Sequence, residues 1–130
     1  MDIIQWATDL RSEDENRQQQ ATELLENSGP PSAADASSIA ALLTDANADV
    51  VYWAATLLGR MEAKASPYTD ALGKVLISSS ADNARERAAW ALGQIGPGAA
   101  AALPSLEKLA NSASPRLARL SREAIKQIGG

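Results

Sequence analysis

The sequence predicts an all-α solenoid, a stack of antiparallel helix pairs, on three observations. The first is a recurring phrase. Ala91-Leu92-Gly93-Gln94-Ile95-Gly96 has relatives in Leu57-Leu58-Gly59-Arg60-Met61-Glu62 and Ala124-Ile125-Lys126-Gln127-Ile128-Gly129; Leu58 to Leu92 is 34 residues and Leu92 to Ile125 is 33. A helical phrase returning at a nearly fixed period marks a repeat architecture. The second is composition. The chain is 45% apolar, rich in alanine and without Phe, which suits closely packed helices. The third is punctuation, because clusters of Gly, Pro, Ser, Asn and Asp bound each periodic segment. One helix pair leaves an apolar face open, and stacking buries it. The expected organisation is one domain over 1–130: a capping helix in 1–11, helix pairs in 12–46, 47–80 and 81–112, and a terminal helix in 113–130, about seven to eight helices in all.

In order, Ile3, Ile4, Ala7 and Leu10 fall on one helical face beside Trp6, so the first helix is expected to lie across the first pair. Ser12-Glu13-Asp14-Glu15 reads as a capping box opening a helix to about Asn27, with Ala21, Leu24 and Leu25 inward. Gly29-Pro30-Pro31 stops it, and Ser32 caps the next helix, which carries Ile39, Leu42 and Leu43. Asp45-Ala46-Asn47-Ala48-Asp49 is a polar turn rich in cap residues. Helix Val50–Met61 follows with Val50, Ala54, Leu57, Leu58 and Met61 on one face. Ser66-Pro67 opens its partner, which buries Ala71, Leu72, Val75 and Leu76. After a turn in which Asp82 and Asn83 serve as caps, Ala84–Ile95 repeats the pattern as Ala84, Ala88, Ala91, Leu92 and Ile95. Gly96-Pro97-Gly98 breaks that helix. The partner over about 99–110 buries Leu103, Leu106 and Leu109, and Pro104 predicts that it is short and starts late. Ser114-Pro115 opens a last helix to about Ile128.

The segment Asn83 to Pro97, with its Leu92-Gly93-Gln94-Ile95-Gly96 close and Gly-Pro turn, followed by Ala102-Leu103-Pro104, resembles a HEAT-like repeat, most of all the type named after phycobilisome lyases. The resemblance covers roughly residues 12–130. It implies a right-handed solenoid with the first helices outside and the second inside. A tetratricopeptide array also has a period near 34 but expects a Tyr after the Leu-Gly pair, and none follows Gly93 here.

The chain has no Cys and no His. That excludes disulfides, thiol nucleophiles, Cys/His metal sites and His-based relays. Glu13-Asp14-Glu15 and the 45–49 turn read as helix capping rather than metal ligands, since the turn lacks the central Gly and late Glu of a calcium loop. No Lys-Ser or Lys-Thr follows Gly96-Pro97-Gly98, so it is no phosphate loop. No catalytic residue, cofactor or metal is expected. The acidic N-terminal segment and the lack of a long apolar span predict a cytoplasmic protein, neither exported nor membrane-spanning.

Function is therefore sought on the surface. Residues 1–84 carry 5 basic and 13 acidic groups and residues 85–130 carry 7 and 3, so the ends are oppositely charged. Arg116, Arg119, Arg122 and Lys126 line one side of the last helix, opposite Leu117, Ile125 and Ile128. Arg122 aligns with Ala55 and Ala89, and Lys126 with Gly59 and Gly93; charge there marks either a solvated end face or a docking surface for an acidic partner. Trp90 points away from Leu92 and is a candidate anchor, whereas Trp6 and Trp53 are assigned to packing. Asp70, Lys74 and Lys108 are candidates on the second helices. The expectation is a monomeric, non-catalytic scaffold for a protein or peptide. One basic stripe on an acidic chain disfavours nucleic acid. By resemblance, the alternative is a subunit of a bilin lyase or a related chromophore-handling protein.

Overall fold

The computed structural model describes residues 2–129 and contains no strand among them. Eight α-helices follow in order: α1 (Ile3–Arg11), α2 (Glu15–Glu26), α3 (Ala33–Ala41), α4 (Ala48–Arg60), α5 (Thr69–Ser78), α6 (Asp82–Ile95), α7 (Leu103–Leu109) and α8 (Pro115–Ile128). Short 3-10 segments lie at Leu42–Thr44, Glu62–Tyr68 and Gly96–Ala102. The first helices α4, α6 and α8 stack side by side, while α3, α5 and α7 form a second layer against them, giving an α-solenoid.

The stacking follows from two glycines. A Cβ at Gly59 would collide with the Trp90 ring and lie 3.1 Å from Ala91 Cα; one at Gly93 would collide with the Gln127 amide and lie 3.1 Å from Ala124 Cα. Ala91 and Ala124 occupy the same place in their repeats, so the recurring phrase is a packing code in which Gly on one helix meets Ala on the next. Between them Leu57, Leu58, Leu92 and Leu106 are fully buried.

The caps differ from the sequence reading in places. Asn47 accepts from the Asp49 and Val50 amides, and Ser32 from the Asp35 amide. Asp14, rather than Ser12, caps α2 by accepting from the Asn16 amide; the Ser12 hydroxyl accepts from the Asp14 amide, two residues early. Asp82 is already helical, and Asn83 bonds the adjacent Ala84 amide. Ser66 does not cap α5, because the 3-10 segment delays the helix to Thr69, whose hydroxyl donates to the Ser66 carbonyl. Pro104 sits in the first turn of the short α7, where its missing N–H costs nothing.

The first pair is irregular. α2 makes its close backbone contacts chiefly with α1 rather than with α4. Thr22 and Glu26 stand where α4 and α6 have Ala and Gly, and they hold α4 off. Arg60 bridges the gap from α4, donating to the Leu25 and Ser28 carbonyls at 2.7 Å each and satisfying the end of α2. On α1, Trp6, Ala7 and Leu10 are buried, but Ile4 is 82% exposed and Leu24 on α2 is 55% exposed. Both were expected inward. They lie at the margins of the α1–α2 hairpin, where no further helix covers them. Arg11 ties α1 to the turn before α4 through Asp45 at 2.6 Å, and Arg17 ties α2 to Asp9 at 2.8 Å.

Candidate interaction surface

Three first helices build a groove of about 380 Å³ between α4, α6 and α8. Its wall begins at Tyr52, half-buried on α4 and set edge-on to Trp53 with centroids 5.2 Å apart. The Arg87 guanidinium, from α6, donates to the Tyr52 hydroxyl at 2.6 Å. It also lies 4.7 Å from the Tyr52 ring centroid and 5.0 Å from that of Trp90. A cation held between two aromatic faces fixes all three side chains. Trp90 cannot sink inward because its ring already rests on Gly59, so it stays half-buried at the groove wall. On the far side Glu86 of α6 faces Arg116 of α8, with Nε to Oε2 at 3.5 Å.

The structure thus brings Trp90 and Arg116 into one groove. Arg119, Arg122 and Lys126 continue from Arg116 along the exposed side of α8. Arg122 donates to the Ala110 carbonyl at 2.9 Å and so closes the end of α7. The side chains of Arg119 and Lys126 have no hydrogen-bond or ion-pair partner among the described residues. The Ala55, Ala89, Gly59 and Gly93 positions aligned with Arg122 and Lys126 are buried under the next helix. The same places on α8 face solvent.

The other candidates lie elsewhere. Asp70 and Lys74, one turn apart on α5, border a separate groove of about 560 Å³ between α5 and the end of the first pair. Lys108 is exposed on α7 and does not line it.

Sequence reasoning missed Tyr52, Glu86 and Arg87. The signal was present in the repeat alignment: Trp53, Arg87 and Leu120 share one repeat position, and Tyr52, Glu86 and Arg119 share the next. Reading those rows across the stack, rather than along each helix, brings them together. Chemically the surface offers aromatic faces and fixed positive charge. No group of three or more His, Cys, Asp or Glu able to hold a metal exists among the described residues, and no helix there is long and apolar enough to cross a membrane.

Comparison with known proteins agrees with this architecture. The profile of HEAT repeats matches residues 36–126, well over half of the chain. The crystal structure of an engineered protein superposes with a TM-score of 0.68 at 21% identity, covering 98% of this chain and 62% of that one, a likeness of fold. No curated protein matches the sequence. With glycine-mediated stacking of α4, α6 and α8 and a profile that matches residues 36–126, the chain belongs to the HEAT repeat family.

Proposed function

We propose that this protein is a non-catalytic interaction scaffold that binds an acidic protein or peptide segment across the α6–α8 face. HEAT repeats commonly serve as protein-interaction scaffolds. The observation that carries the reading is the half-exposed Trp90, held between Gly59 and Arg87, in one groove with Arg116, from which the exposed, unpaired side chains of Arg119 and Lys126 continue along α8. An aromatic anchor with a basic rim is the composition of an interface hot spot. Crosslinking capture with the intact chain tests it. Captured acidic partners should be lost from Arg119→Glu/Lys126→Glu and retained by Lys74→Glu, a change on α5 that borders a separate groove. Absence of any partner of micromolar affinity or better, or indifference to the α8 change, sinks the proposal.

The phycobilisome-lyase type of repeat, supported by the Leu92-Gly93-Gln94-Ile95-Gly96-Pro97 motif, carries the second reading of a bilin-handling subunit. A visible-absorbance titration with a bilin decides it; an unchanged spectrum removes it.

A further inference from the structure

The opposite end of the stack carries a second surface. In α4, α6 and α8, the residues Leu57, Ala91 and Ala124 occupy one repeat position and are buried. Ala91 and Ala124 there meet the glycine of the preceding first helix. Leu24 holds this position in α2 and is 55% exposed. It lies in a groove of about 320 Å³ between α1 and α2, with Trp6 and Ala21 as apolar lining and Asp2, Asp9 and Gln20 at its margins. Trp6 is only 1% exposed, yet its indole Nε1–H has no hydrogen-bond partner among the described residues. The trough is apolar and uncovered at Leu24, and the Trp6 indole N–H buried beneath it is a reporter of anything that docks there.

Charge selects the occupant. Residues 2–26 hold 7 acidic and 2 basic side chains. Both arginines are consumed in ion pairs, Arg11 with Asp45 and Arg17 with Asp9. Glu13, Glu15 and Glu23 remain exposed on the hairpin, and Asp2 borders the groove itself. A second copy of the chain fits poorly. Its basic helix α8 already buries its apolar side, and the side left outward shows Arg119, Arg122, Glu123 and Lys126, with no exposed apolar residue to cover Leu24.

We infer that the α1–α2 groove docks an amphipathic basic helix from a partner protein, its apolar stripe over Leu24 and its Lys or Arg residues toward the acidic rim. The occupant takes the place that the preceding first helix takes in later repeats, and docking of this kind reads as i, i+3, i+4 anchors. The site is distinct from the α6–α8 face and does not rest on it.

The probe is a synthetic Leu/Lys peptide of about four helical turns with Leu along one face. Its controls are the same pattern with Glu for Lys, and a scrambled Leu/Lys peptide of equal charge. Binding to the full chain is followed by calorimetry, and the Trp6 indole N–H by NMR, assigned with Trp6→Phe. The patterned Leu/Lys peptide should bind at least about tenfold tighter than either control and move the Trp6 resonance. Leu24→Glu should weaken it by about tenfold or more, although the added negative charge would strengthen a purely electrostatic attraction. Arg119→Glu/Lys126→Glu should leave it unchanged, which separates this site from the α8 face. Equal binding of the scrambled peptide, unchanged or tighter binding by Leu24→Glu, or Leu24-dependent self-association in sedimentation overturns the inference.

Discussion

Gly59 and Gly73 are both helical glycines, and the structure assigns them opposite roles. Nothing lies within 4 Å of a Cβ built on Gly73, whereas one on Gly59 meets the Trp90 ring and the α6 backbone. Gly73→Ala should therefore stabilise by about 0.5–1 kcal/mol through helix propensity. Gly59→Ala gains the same propensity but overpacks a tight contact costing roughly 1–3 kcal/mol, for a net loss of about 1 kcal/mol and a shifted Trp90 emission. Urea unfolding of the two variants checks both signs. Glu62 is a second residue-scale case. It has φ 54° at the helix-ending position where later repeats place Gly96 (φ 77°) and Gly129 (φ 111°). Side chains pay about 1–2 kcal/mol in that left-handed region, so Glu62→Gly should raise stability by roughly 1 kcal/mol in the same assay. The Glu62 substitution is visible in the aligned phrases. The exposure of Leu24 is not, because helical periodicity shows which side of a helix is apolar but not whether a neighbour arrives to cover it.

At the scale of elements, α1 is held by two things, the burial of Trp6 and Leu10 and the Arg11–Asp45 pair. The hydrogen bond from Arg11 holds the Asp45 carboxyl below its ordinary value, aided by the Asn47 amide and opposed by burial. A carboxylate depressed in the folded state contributes stability that is fully present above its unfolded value, about 3.9, and is lost as pH falls through the folded value. Acidification below about pH 4 should thus loosen α1, with Asp9, depressed by its hydrogen bonds from Arg17 and then Gln5, acting in the same direction. Asp45→Asn should cost only about 0.5–1 kcal/mol at neutral pH, since Arg11 is substantially exposed, and should flatten the loss of stability between neutral and acidic pH. Unchanged pH dependence in that variant would refute the assignment. The helices themselves were largely legible, as with the Pro104 signal for a short, late α7. Their starts were less so. At Ser66 and Ser12 the local cap chemistry was read correctly as a turn signal, but 3-10 backbone or a competing Asp moved the boundary by two or three residues.

Across the whole molecule, stability in a stacked repeat is the sum of each unit and its contacts with its neighbours. Those contacts are unequal here. The α4–α6 and α6–α8 backbones approach closely over Gly59 and Gly93, whereas the α1–α2 hairpin meets α4 over a much smaller backbone contact made by α1, with α2 tied to α4 by Arg60 bonding the Leu25 and Ser28 carbonyls. The period of the sequence predicted the stack but not this inequality, which depends on Thr22 and Glu26 replacing small residues at a single interface. Regions joined by fewer close contacts open at lower free energy than the core. The hairpin should therefore exchange its amide hydrogens by a local opening, while the amides of α4 and α6 exchange only on global unfolding. Arg60→Ala leaves two helix-terminal carbonyls without their charged donor, at a cost of about 1–3 kcal/mol. In native-state hydrogen exchange that loss should fall mainly on α1 and α2, speeding their exchange several-fold more than that of α6 and α8. A uniform acceleration through all eight helices would mean that the solenoid unfolds as a single unit and that the first pair is no weaker than the rest.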